Sequence, residues 1–237
     1  LPLHTNALYL RKSLIRLMRR IAAVLLASLF LAHLISVSVL NSDGESNLSP
    51  LEEVPLTSYV SSSQYLWHQN AGGSNSDNVR GLDVDDQGNI YVCGNYHQIA
   101  YFGAFSTPTS SSGSSDIFVA KLSSTGDWLW VKTAGSTSTD YCYDIDVDGG
   151  GNVSITGTFY NTISFGSTSF SSSGSLDAYV AVLDTMGNWL WAQKIGASSS
   201  DYAYGIALAD SGNVYVTGYW SSGTLNFGSA GSISCSS

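Results

Sequence analysis

The sequence predicts an all-β fold of β-propeller-type repeats: four-stranded antiparallel blades of about 61 residues, in an incomplete ring, preceded by an N-terminal hydrophobic helix. Three observations carry this expectation. The chain is self-similar at near-constant spacing, its composition favours turns and aromatics, and its apolar runs are short, alternating and broken by Gly-Asn pairs. Turn formers combined with Tyr, Trp, Phe, Val and Ile suit short strands joined by tight loops, and residues after 60 lack the Ala, Leu, Glu and Lys of long helices.

The repeat is read from landmarks that stay in register. Trp67, Trp130 and Trp191 lie 63 and 61 residues apart, and Asp77, Asp140 and Asp201 keep that spacing. So do Gly88-Asn89, Gly151-Asn152 and Gly212-Asn213, and then Gly94, Gly157 and Gly218. Such agreement is architecture, not compositional accident.

Taken in order, residues 1–40 read as a secretory signal peptide or signal anchor. Five of the nine basic residues fall in the first twenty positions, ahead of the uncharged run IAAVLLASLFLAHLISVSVL at 21–40. Positive residues stay cytoplasmic, so everything downstream is expected to be exported, to the periplasm, the medium or the cell surface. Ser36-Val37-Ser38 offers a cleavage site, while about 20 apolar residues also suffice for an uncleaved membrane anchor. The chain opens with Leu, and Met18-Arg19-Arg20 reads as a more natural start. Residues 41–63 are polar with scattered Pro and read as a linker.

Residues 64–237 hold the repeats. An outer strand is expected at 65–71, one blade at 79–134, a second at 141–195 and a partial third at 202–237. In the second unit YDIDV alternates, GGGN turns the chain, and NVSITGTF returns as its hairpin partner. TISFG and a Ser/Gly loop suggest a small extra hairpin; DAYVAVL and NWLWAQKIG complete the four strands. A β-solenoid is the structural runner-up, but its repeats are usually shorter. Propellers close with about four to eight blades, so the chain is expected to be a fragment of a longer protein.

Charge and motif content exclude several functions. After residue 20 only Arg80, Lys121, Lys132 and Lys194 oppose all 18 acids, a balance of −14. Such a surface repels nucleic acid and anionic headgroups, so no nucleic-acid partner is expected and a membrane only through the N-terminal segment. No GxSxG elbow, HExxH helix or P-loop is present, and His68 and His97 do not recur. Cys93, Cys142 and Cys235 show no metal-ligand spacing and occupy different repeat positions, so Cys93 is expected as a small buried apolar residue.

The runs GLDVDDQGNIYVCG (81–94), SDIFVAKLSSTGDWLW (115–130) and NWLWAQKIGASSSDYAYGIALADSGNVYVTGYW (188–220) resemble the bacterial SBBP-type β-propeller repeat. There a GIAxDxxGNxYVTG hairpin alternates with a DAFVAKxxxxGxxxW hairpin. The resemblance covers about 64–237 and implies a secreted or surface repeat protein, with little said about chemistry. The middle copy departs from it, with Ser154 at the aromatic position and Asp144 at the leading Gly. The setting of the tryptophans also resembles the docking turn of quinoprotein propellers, with no quinone- or calcium-binding residue to carry over.

Asp144, Asp146 and Asp148 are the metal candidates, and calcium the one cofactor they bring into question. An EF-hand loop needs a bidentate Glu at its twelfth position, where Ile155 stands. The sister copies place Gly81, Asp83 and Asp85, or Gly205, Ala207 and Ala209, at these sites. A hairpin turn is therefore expected, with no metal and no cofactor. Asp77, Asp140 and Asp201, like Asp116 and Asp177, are expected to accept backbone N–H groups at loop-to-strand junctions. Trp128 and Trp130, two apart, are expected on one face, filling gaps between blades.

The functional expectation is a non-enzymatic scaffold for surface display, adhesion or ligand recognition, with carbohydrate or a cell-surface protein as partner. Contacts are expected in variable loops such as 97–100 and 161–162. The alternative is a quinoprotein-like or lyase-type propeller enzyme with its active residues in further blades.

Overall fold

The structure, a computed structural model, describes residues 64–107, 115–209, 211–221, 223–226 and 231–235, and the backbone of 35–41. The signal segment up to residue 34 and the linker from 42 to 63 lie outside the described residues. No helix among the described residues is long and apolar enough to cross a membrane.

Two complete blades are present. The first comprises β3 (Asn78–Val84), β4 (Ile90–His97), β7 (Ser115–Leu122) and β8 (Trp128–Ala134), antiparallel in that order. The second comprises β9 (Asp140–Val147), β10 (Val153–Phe165), β11 (Thr168–Leu183) and β12 (Trp189–Ile195). β13 (Asp201–Leu208) and β14 (Val214–Trp220) open a third, and β15 (Gly223–Asn226) pairs with β16 (Ser232–Cys235). The described strands do not close a ring. β2 (Gln64–Gly72), expected as a lone outer strand, pairs with β1 (Ile35–Asn41) and with the hairpin of β5 (Tyr101–Phe102) and β6 (Phe105–Ser106). That hairpin is the small extra one, and in the second blade it is continuous with β10 and β11, whose pairing runs on to Phe165 and Thr168.

Three hairpin loops solve the same turn in the same way. In 85–89, 148–152 and 184–188 the leading Asp accepts two backbone N–H groups and the Asn side chain, as Asp148 does from Gly150 (2.9 Å), Asn152 (2.8 Å) and Asn152 Nδ2 (2.7 Å). The fourth residue is Gly with φ of +81°, +86° and +78° in these loops and +83° at Gly212, a conformation that other L-residues adopt only with strain. The recurring glycine is thus a backbone requirement.

Sheet faces alternate between two cores, because a strand buried on both faces sends successive side chains opposite ways. Along β4, Tyr91 and Cys93 enter the cluster shared with the second blade, whereas Ile90 and Val92 face the cluster built on Phe102 and Trp67. β9 lies against both β3 and β13, so the first strands form the hub from which the sheets fan out.

Candidate functional site

At the hub each first strand carries a β-bulge at the same repeat position. Pairing passes from Val79 to Gly81, from Cys142 to Asp144 and from Ala203 to Gly205, leaving Arg80, Tyr143 and Tyr204 as the extra residues. A bulge re-aims its side chain and brings the strands close. Opposite it stands a glycine in every copy: a Cβ on Gly94, Gly157 or Gly218 would collide with the carbonyl of Asn78, Tyr141 or Tyr202. These glycines are landmarks for that reason.

The re-aimed side chains form one row. The Arg80 guanidinium lies 5.8 Å from the Tyr143 ring and 5.9 Å from Tyr141, and Tyr143 lies 5.5 Å from Tyr204. Tyr141 and Tyr143 are parallel within 7°, and Tyr202 and Tyr204 within 11°. Tyr204 and Tyr219 are exposed, at 54% and 57%. Burial raises the Tyr143 hydroxyl above its ordinary range, so it stays neutral and accepts from Thr158 Oγ1 (3.3 Å). Chemically the row offers flat aromatic faces, hydroxyls and one cation, with no nucleophile or base among its members. Sequence reading missed it, since attention went to the tryptophans. The signal was present: the alignment that matched Gly94, Gly157 and Gly218 also puts Arg80, Tyr143 and Tyr204 in one column.

The metal candidates do not converge. Asp148 serves its own turn, as expected, but Asp144 and Asp146 do not. Asp144 Oδ2 accepts the Ile206 N–H (2.9 Å) and Asp146 Oδ2 the Leu208 N–H (2.5 Å), both on the next blade. Asp83 does the same one blade earlier, accepting the Val147 N–H at 2.8 Å. These carboxylates tie blade to blade, which a single hairpin could not reveal. Asp83 also hydrogen-bonds Asp146; burial, then that bond and the neighbouring charge, push Asp83 up to about 7. Among the described residues no group of three or more His, Cys, Asp or Glu could hold a metal ion.

Asp77, Asp140 and Asp201 stand where each blade begins. Asp77 accepts from Gly73 (2.7 Å) and His97 (3.1 Å), and Asp201 from Ala197 (2.7 Å) and Ser221 (3.2 Å), four residues back and twenty ahead. Asp140 faces Ser136 and Tyr160 likewise. Of the loops expected to carry contacts, 97–100 holds Gln98, whereas 161–162 lies within β10 at a register shift and is not a loop; Gln98 and Asn161 both have φ of +62°.

The tryptophans lock neighbouring sheets. Trp67 Nε1 donates to Ser124 O (3.2 Å), and a Cβ on Gly126 would meet its ring at 2.7 Å; Trp130 Nε1 donates to Thr185 O (3.2 Å) above Gly187. Trp191, the third landmark, is 44% exposed. Trp128 and Trp130 do not share a face as expected. A bulge at Leu129 separates them, sending Trp128 onto Phe102 (5.0 Å) and Trp130 onto Tyr91 (6.1 Å).

The family model of the SBBP β-propeller repeat matches residues 66–95 and 190–219. These segments are SBBP β-propeller repeats. Each runs from a Trp-bearing outer strand into the first hairpin of the next blade, so the matched unit spans the seam that the tryptophan locks. The chain is also similar to an uncharacterized WD repeat-containing protein, L264, of Acanthamoeba polyphaga mimivirus, at 25% identity over 191 residues. That match covers 68% of this chain and 14% of the relative, so the chain spans a small part of that protein's length.

Proposed function

We propose that this SBBP repeat protein is a non-catalytic recognition scaffold, exported and displayed for adhesion, whose hub row of Arg80, Tyr143 and Tyr204 takes a carbohydrate. The observation that carries the reading is the bulge in every described first strand, which sets an arginine and two tyrosines on one constant backbone device. Blades supply rigidity, and positions that vary upon it supply specificity. Parallel tyrosine faces suit the apolar faces of sugar rings, their hydroxyls suit the ring substituents, and Arg80 favours an acidic sugar. The repeat family and the WD-repeat relative support a scaffold of this kind.

A glycan array probed with the full chain, followed by titration of the hits, tests the reading. Tyr143→Ala and Tyr204→Ala should each weaken binding by about tenfold, the scale of one lost aromatic contact. An array without hits, or hits indifferent to both substitutions, would overturn it.

A further inference from the structure

Cys93 and Cys142 occupy different positions in the repeat, which along the sequence gives no sign of a pair. The blade geometry supplies one. The second strand of one blade faces the first strand of the next, so residues that meet across a seam come from different repeat positions. Cys93 on β4 and Cys142 on β9 meet in this way, both free thiols, fully buried in the cluster that joins the first and second blades. The strands that carry them pack together, and the Cys142 side chain is near enough to the Cys93 thiol to help raise it above its ordinary range. Around them, Cys142 Sγ lies 3.8 Å from the Asp144 carbonyl and Tyr179 Oη donates to the Tyr141 carbonyl at 3.1 Å. At the next seam the corresponding residues are Thr156 and Ala203, so the pair belongs to this seam alone among the described ones.

We infer that Cys93 and Cys142 form a disulfide that joins the first blade to the second when the chain folds in the presence of an oxidising small-molecule disulfide. The steps balance as two exchanges. The Cys142 thiolate attacks the reagent's S–S bond, forming a mixed disulfide and expelling one small thiolate. The Cys93 thiolate then attacks the Cys142 sulfur and expels the second. The two protein thiols lose two electrons, the reagent gains them, and both protons end on the released thiols. Burial raises Cys93 well above its ordinary range and leaves that folded, reduced thiol with little thiolate, so closure belongs to the folding chain rather than to the finished blade.

The test uses the full chain carrying Cys235→Ser, unfolded, reduced, and refolded in mixed oxidised and reduced glutathione. Trypsin places Cys93 in peptide 81–121 and Cys142 in peptide 133–194. The inference expects these two peptides linked, no thiol titratable after denaturation, and an unfolding midpoint that drops when reductant is added. Cys142→Ala, refolded identically, should show no such drop. Two titratable thiols after oxidative refolding, or glutathione mixed disulfides in place of the linked peptide, would overturn it. Should Cys142→Ala fail to fold, the linked-peptide result on the Cys235→Ser chain decides alone.

Discussion

The seam between the first and second blades and the seam between the second and third use the same backbone plan with opposite chemistry. At the first, Tyr91, Cys93, Ile117 and Val119 meet Ile145, Val147 and Ile155 in a largely apolar cluster, with Asp83 as the carboxylate that accepts a backbone N–H of the second blade. At the second, the second blade presents Asp144, Asp146, Ser154, Thr156 and Thr158, and the apolar cluster shrinks to five buried residues. Two carboxylates tie that seam. Ser154 stands where Tyr91 wedges its ring, and its Oγ donates to Asp146 O (3.3 Å). The departures from the repeat pattern at Ser154 and Asp144 are thus one exchange, a bulky apolar wedge replaced by directional bonds.

The largest effect should follow from attacking the apolar seam. Phe159 is fully buried within it, and Phe159→Ala should cost about 3–5 kcal/mol in chemical denaturation, the lost transfer energy plus the cavity. A loss below about 2 kcal/mol would mean that burial does not dominate this seam.

Protons distinguish the seams next. At the first, Asp116 and Asp140 approach with no lysine beside them, and the nearby His97 offsets part of the rise at Asp116. Burial lifts Asp116 to about 6, and burial together with the Asp116 charge lifts Asp140 to about 8. At the second, the same positions are Asp177 and Asp201, and Lys194 Nζ lies 3.3 Å from Asp177 Oδ2. Thr133 holds the lysine's place in the first. Unfolded, these carboxyls release their protons near 3.8, while the folded seam holds them to about 7 at Asp83 and about 8 at Asp140. Between those limits the native state binds more protons than the unfolded one, so stability falls as pH rises. The contribution, on the order of a few kcal/mol, is complete below about pH 4 and gone above about pH 8. Thr133→Lys should flatten the melting profile across that window and Lys194→Thr should steepen it. If both profiles match the parent, the charge account of the seams fails.

At the polar seam a single tie can be cut. Asp144→Ala leaves the Ile206 N–H without its acceptor and should cost about 1–3 kcal/mol, with faster hydrogen exchange at Ile206 and little change at Val147. Asp144→Asn keeps an acceptor and should restore most of the protection. Equal exchange at Ile206 in all three proteins would show that the bond does not hold the blades.

These predictions also mark how far the sequence could be read. Period and landmarks revealed the blades because each landmark answers a local backbone demand: Gly151 a positive φ, Asp148 its own turn. A backbone demand within one hairpin recurs from copy to copy, as at Gly88, Gly151 and Gly212. Relations across a seam leave a weaker trace, since the partners sit 49 residues apart for Cys93 and Cys142 and 62 for Asp144 and Ile206, at unlike repeat positions. Asp144 and Ile206, and Cys93 and Cys142, were invisible for that reason. The Arg80–Tyr143–Tyr204 row lies between these cases, aligned in one column with Arg in the first copy and Tyr in the other two, so that only the bulge shows what the column shares.

The smallest effect tests the lock that both outer tryptophans apply. Trp130 contributes its ring to the apolar seam and its Nε1–H to the Thr185 carbonyl, 3.2 Å away. Trp130→Phe keeps most of the ring and removes the donor, so it isolates the polar part of the lock. The exposed carbonyl can turn to water, which limits the cost to about 0.5–1.5 kcal/mol, the net worth of one such bond. Trp67 makes the same bond to Ser124 over Gly126, and Trp67→Phe should cost as much. Unequal losses in parallel denaturation curves would show that the apolar seam, and not the repeated turn, sets the strength of the lock. Equal losses would assign it to the turn, independent of the chemistry of the seam it closes.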